Sequence, residues 1–260
     1  MDIQKEIEFF DRFEAEHHDY DVLGEAAYAR FLTFFQEWLS PRPGQRCVDL
    51  GCGSGAFTRR LRPFQLELTG VDISPRLVAS ATTQSAGEGY LVGDITNTSL
   101  PEKSVDFVVY SGVLHHFPTS ADRLAVLREG YRLLAPGGSL FAYDPHLFSP
   151  SMFLYRDPRS PFFSSAGKTE NEVLLSSSMM RSELAQVGFV QPRFRPVSGT
   201  PFRFVEGKLA RRILPLYNLY EWMMRYSGLE RWLGTFLLMC ARRPPDAGGF
   251  SSAAAEAASP

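Results

Sequence analysis

The sequence predicts a doubly wound α/β fold built on a mostly parallel sheet, and three observations predict it. Short apolar runs alternate with amphipathic segments between residues 46 and 144. Strands alternating with helices imply a parallel sheet covered on both faces. A glycine-rich turn follows the first run, at residues 51–55, where a ligand meets such a sheet. The 260 residues are 44% hydrophobic and 22% charged, the composition of an ordinary globular chain rather than a disordered or fibrous one.

Each element has its own justification. Residues 1–40 read as a helical N-terminal cap. Phe9, Phe10 and Phe13 recur at near-helical spacing, and Ala27, Phe31, Phe34, Phe35 and Trp38 share a stripe. Prolines in SPRPG (40–44) end the helix by removing amide donors. Residues 46–50, 66–73, 89–95 and 105–112 read as strands, with helices at 56–62 and 74–84 between them. Thr119 to Leu134 reads as a helix opened by a Thr119–Asp122 capping box. APGG (135–138) then predicts a chain reversal before a fifth strand at 139–144. Residues 147–175 carry Pro, Ser and Phe without a period and read as a loop insertion or lid. A helix at 176–189 closed by Gly188, a strand at 189–197, a helical insertion at 206–232 kinked at Pro215, and a strand at 234–242 complete the segment 176–243. Residues 244–260, mostly Ala, Gly, Pro and Ser, predict a disordered tail.

Charge and cysteine content narrow the function classes. The net charge of −2 lacks the basic surplus of a phosphate-backbone binder, so no nucleic-acid partner is expected. It hides an asymmetry, with a net −6 over residues 1–21 and +5 over residues 203–243. Cys47, Cys52 and Cys240 are too few for a disulfide framework and fit a reducing, cytoplasmic setting. The N-terminus shows no signal peptide, and no apolar run reaches membrane-spanning length.

The candidate site starts at Val48-Asp49-Leu50-Gly51-Cys52-Gly53-Ser54-Gly55. Glycines allow a sharp turn and close approach of a ligand. Ala56 breaks the dinucleotide GxGxxG pattern, and the P-loop lysine is absent. Asp49 would repel a pyrophosphate and suits a cationic group such as an amino-acid ammonium. Asp72, at the end of the next strand, is placed to accept both hydroxyls of a ribose. Asp94 with Ile95, at the end of the third, offers an acceptor and a flat apolar wall to an adenine.

These motifs resemble the class I S-adenosylmethionine-dependent methyltransferases. VDLGCGSG resembles the family's first motif, GVDIS its ribose acid, GDI its adenine contact, and SVDFVVYSGVLHHF its fourth motif. LREGYRLLAPGGSLFAYD resembles the helix, turn and fifth strand that follow. The likeness covers 45–146 closely and 176–197 with 234–242 loosely, and it implies an S-adenosylmethionine-binding Rossmann-like core over 41–146. It implies seven strands in the order 3-2-1-4-5-7-6 with the last antiparallel. It also implies S-adenosyl-L-methionine as cofactor, held by Tyr20, Asp49, Gly51, Cys52, Gly53, Gly55, Asp72, Ile73, Asp94, Ile95 and Ser111.

The fourth strand ends in Ser111-Gly112-Val113-Leu114-His115-His116, without the [DNS]PP[YFW] of amide and nucleobase N-methyltransferases. His115 or His116 beside Asp144, at the end of strand five, would make a base oriented by a carboxylate. That arrangement resembles small-molecule O-methyltransferases; a positional role for the histidines is the alternative. Two adjacent histidines without a third ligand predict no metal. His17 and His18 are expected in solvent, and Cys52 as a small residue that fits the loop. Aromatic insertions favour a phenolic or sugar-bearing small-molecule acceptor. The basic, aromatic segment 206–232 allows peripheral membrane contact and a lipid-linked or polyprenylated acceptor instead. A third alternative is a non-catalytic S-adenosylmethionine-binding module. Oligomeric state is left open.

Overall fold

The structure, a computed structural model, describes residues 7–12, 21–157, 159–160, 172–203, 205 and 208–246, without the side chains of Leu209 and Ala210. Seven strands form one sheet in the order β3-β2-β1-β4-β5-β7-β6. They are β1 Arg46–Leu50, β2 Glu67–Asp72, β3 Gly89–Val92, β4 Val105–Ser111, β5 Leu134–Pro145, β6 Val190–Val197 and β7 Phe236–Arg242. The first five run parallel, and β7 is antiparallel to both β5 and β6. Strand order and the antiparallel member are as the resemblance implied.

Helices cover both faces: α1 Glu25–Leu39, α2 Ala56–Arg60, α3 Pro75–Thr83, α4 Ser120–Leu133, α5 Pro150–Arg156, α6 Ser177–Val187, α7 Lys208–Ser227 and α8 Glu230–Leu233. Alternation along each strand divides the core in two, because successive side chains point to opposite faces. Val48, Val108, Tyr110, Leu140 and Met239 meet α4 and α6 through Val126, Leu127, Met180 and Leu184. Cys47, Phe107, Val109, Phe141 and Leu238 meet Phe31 and Phe35 of α1 and Phe57 of α2. Residues 7–12 are helical as well. Phe13, His17, His18 and Tyr20 lie outside the described residues, as do 247–260 of the tail.

Two expectations need correction. APGG does not separate α4 from β5: residues 134–138 already belong to the strand. They bulge against β4, where Val105 pairs Leu134 but Phe107 pairs Ser139. Gly137, at φ +81°, supplies the turn chemistry within the ladder. The segment 147–175 is not all loop. Pro150 opens α5 at a position where no amide donor is needed, and the Ser149 side chain accepts from Met152 N–H. The capping box at Thr119 is formed, with Asp122 N–H donating to Thr119 Oγ1 at 3.2 Å and Thr119 Oγ1 donating to Asp122 Oδ2 at 2.7 Å. Helix α7 runs through Pro215, and the chain breaks at Gly228, φ +74°.

Candidate active site

The carboxyl ends of β1, β2 and β4 open into one cavity, continuous with a chamber under α1 and α5. Its first half is lined by Gly51, Cys52, Gly53, Ser54, Asp72 and Ile73, with Asp94, Ile95 and Ser111 beyond them. Gly51 and Gly53 sit at φ +80° and +54°, the left-handed region that glycine enters at no steric cost. A Cβ on Gly51 would also meet Val113 Cγ2 at 2.6 Å. Gly55, at φ +77°, lies behind the wall, where a Cβ would meet the Tyr90 hydroxyl at 2.6 Å. Cys52 is buried on the cavity wall, and burial pushes its thiol well above the usual range.

The three strand-end acids differ in what they face. Asp72 is on the cavity wall. Gly53 N–H donates to its Oδ2 at 2.8 Å and Ser74 N–H to its Oδ1 at 2.9 Å. Burial raises its pKa against the pull of those amides. Asp94 also lines the cavity; its Oδ1 accepts from Thr96 N–H and Thr96 Oγ1, each at 2.8 Å. Asp49 does not line it. Its carboxylate accepts from Thr58 Oγ1 at 2.7 Å and Ser111 Oγ at 3.0 Å, and burial pushes it up to about 6. Asp49 therefore faces a ligand through Ser111 rather than directly.

The second half of the cavity holds the histidines. His115 and His116 occupy a 3-10 turn after β4, with ring centroids 4.1 Å apart. His115 Nδ1 lies 2.8 Å from Asp144 Oδ1, which also accepts the His115 backbone N–H at 3.1 Å. Asp144 is fully buried, and burial pushes it up to about 8, against the backbone amides of Val113, Leu114 and His115 and the nearby His116. His116 meets the edge of Phe10, at 5.4 Å, from the N-terminal helical stretch. Asp11 of that stretch accepts from Ser74 Oγ at 2.5 Å, next to Asp72. His146 points elsewhere and bonds Gly234 O at 2.9 Å.

Several lining residues are not marked by any sequence motif. Tyr28, Phe57, Tyr143, Met152, Phe202 and Phe236 wall the chamber. Tyr143 precedes Asp144 on β5 and, by strand alternation, faces α1, where it stacks on Phe31 at 4.2 Å. Glu172 arrives because residues 173–175 bond back onto the site: Val173 N–H to His115 O at 2.8 Å and Leu175 N–H to Pro145 O at 3.0 Å. Donor atoms of His115, His116 and Glu172 lie within 4.8 Å of one another. Sequence spacing could not show that trio. Glu172 ion-pairs with Arg156 of α5, so its charge is already answered by a guanidinium.

Comparison with known proteins fits this geometry. Residues 48–142 match the family model described as a methyltransferase domain. A malonyl-[acyl-carrier protein] O-methyltransferase of Serratia marcescens is 35% identical over 99 residues, 38% of this chain and 38% of that protein. A Bos taurus protein named probable tRNA methyltransferase 9B is 32% identical over 133 residues, 51% of this chain and 28% of its own. The matches thus span well under half of these relatives' length. The crystal structure of a methyltransferase from Thermotoga maritima shares the fold, with a TM-score of 0.62, 19% identity, and coverage of 91% of this chain and 99% of that one. The family's cofactor is S-adenosylmethionine, and the wall fits it: a cradle without Cβ atoms, an amide-held carboxylate at Asp72, and an acid beside Ile95. Strand order, glycine cradle and matched motifs together place this chain's core among the class I S-adenosylmethionine-dependent methyltransferases.

Proposed function

We propose that the protein methylates a hydroxyl of a phenolic or sugar-bearing small molecule, with S-adenosylmethionine as donor. The observation that carries this reading is the His115–Asp144 pair at the border of the cofactor half and the aromatic chamber. A hydroxyl nucleophile needs a base, whereas an amine or thiolate does not. When bound, the cofactor supplies an activated methyl group and its leaving group. The chain's own tasks are alignment, exclusion of water and removal of one proton.

Ionised Asp144 holds the His115 Nδ1 proton, so Nε2 is the ring atom that takes the acceptor's proton, an arrangement favoured as pH rises towards about 8. Asp144 acts as the positioning residue by fixing the ring. His116, set between Phe10 and the Asp72 side of the cavity, holds the wall. The aromatic lining from Tyr28, Phe57, Tyr143 and Phe236 supports a ring-bearing acceptor over a small polar one.

The test is methyl transfer to a panel of phenols, sugar hydroxyls and amines, with total tRNA in the same assay because a relative bears that name. Phenols or sugar hydroxyls are the expected acceptors. H115A is expected to lower kcat by about 10²-fold or more, with cofactor affinity unchanged by calorimetry. D144N should lower kcat and shift its pH profile. Equal activity in H115A, or transfer to amines or tRNA alone, would remove the hydroxyl reading.

A further inference from the structure

Helix α7 is apolar on both faces. The face turned to the protein carries Tyr217 and Met224 together with Asn218 and Glu221. Asn218 brackets the backbone of Phe202, accepting its N–H at 3.1 Å and donating to its carbonyl at 3.2 Å. Glu221 is fully buried and accepts from Thr200 N–H at 3.2 Å, from Thr200 Oγ1 at 2.7 Å and from Thr235 Oγ1. These bonds fix the helix's rotation, since rolling it would strand a buried carboxylate.

The outward face carries Ile213, Leu216, Leu219, Trp222, Met223 and Tyr226, with Leu216 68%, Met223 64% and Tyr226 70% exposed. Leu229 and Trp232 continue it across Gly228 into α8. Isolated exposed apolar residues are normal, but a helix-long row of them marks a contact surface. The charges of the same segment are sorted by sign. Glu221 and Glu230, the acids of residues 208–233, are both buried; Glu230 bonds Arg30 and Ser198 N–H. Lys208, Arg211, Arg212 and Arg231 are exposed and Arg225 is half-buried. The outward surface is therefore apolar and cationic, with no acid from its own segment.

We infer that the outward face of α7 and α8 docks onto an anionic lipid surface. Leucine and methionine enter the acyl boundary, tryptophan and tyrosine sit at headgroup depth, and the arginines meet lipid phosphates. No helix among the described residues is long and apolar enough to cross a membrane, so α7 lies along the surface. Charge complementarity selects anionic lipid over an apolar protein groove. The inner face of α7 also buttresses the chamber, with Tyr217 against Phe202 at 5.4 Å and Phe202 on the cavity wall. Docking would bring that wall to the lipid.

Flotation of the full chain with vesicles tests this, using phosphatidylcholine alone and phosphatidylcholine mixed with phosphatidylglycerol. Capture by the mixed vesicles, weaker capture by phosphatidylcholine and release by salt are expected. R211Q/R212Q should weaken capture on the order of tenfold or more, and so should L216Q/L219Q/M223Q. These side chains are exposed, so both variants should melt as the wild type does. No capture, or equal capture by wild type and both variants, would overturn the inference. A wild-type dimer that the apolar variant converts to monomer, without vesicle capture, would overturn it in favour of self-association. The assay needs neither cofactor nor acceptor, so its outcome is independent of the methyl-transfer reading.

Discussion

Asp72 shows how one side chain joins loop geometry to ligand recognition. Its two oxygens already hold the amides of Gly53 and Ser74, and the side chain lines the cavity. D72A is expected to weaken cofactor binding about 10²-fold by calorimetry, because two charge-assisted hydrogen bonds are lost together with an anchor of the glycine loop. Unchanged affinity would show that the ribose sits elsewhere. The residues at the strand ends were legible in the sequence because motif and strand end coincide. Asp49 was legible as part of the motif but not in its orientation: Thr58 and Ser111 claim both its oxygens, and the Ser111 contact forms only when β1 and β4 pair.

Between elements, close approach is purchased by small residues. Gly130 lets α4 lie against β4, where a Cβ would stand 2.2 Å from the Tyr110 hydroxyl. That hydroxyl donates to Val126 O at 2.7 Å. G130A should destabilise the fold by about 2 kcal/mol, and adding Y110F should restore part of the loss by removing the clashing oxygen. Simple addition of the two single effects in denaturant melts would show that no such clash exists. The alternation of strands and helices was readable because periods of 2 and 3.6 are local. The bulge at 135–138 was not, since Pro-Gly-Gly is turn chemistry whether or not the flanking ladder continues. Nor could the period of α7 say which way its stripe faces. Burying Glu221 against Thr200 and Thr235, beside Tyr217 and Met224, is a tertiary choice that leaves the second apolar stripe outward. Glu172 likewise reaches the histidines only through backbone bonds to residues 115 and 145.

For the molecule as a whole, buried acids set the response to pH. The folded chain holds protons on Asp49 to about 6 and on Asp144 to about 8, well above an unfolded aspartate's ~3.9. A carboxyl raised on folding binds protons more tightly in the native state. Its contribution to stability is present at low pH and is lost as pH rises towards the folded value. Glu88, held by Arg62 at about 2, acts oppositely, losing its contribution as pH falls below about 4. His146, lowered by burial, loses its contribution only as pH falls through the imidazole range. Between about pH 6.5 and 8, Asp144 makes stability fall, and Asp72 and Glu221, also raised by burial, act in the same direction. The ligand-free chain should therefore melt at lower temperature at pH 8 than at 6.5, and D144N should flatten that difference. A wild-type melting temperature that rises across this interval, or an equal fall in D144N, would contradict the assignment.

The contacts of Phe10 with His116 and of Asp11 with Ser74 carry a kinetic consequence. They stand at the cavity wall between Asp72 and the histidine turn. We expect them to slow the exchange of a bound molecule, so that a cycle of this kind is paced by its doorway rather than by the bond that changes.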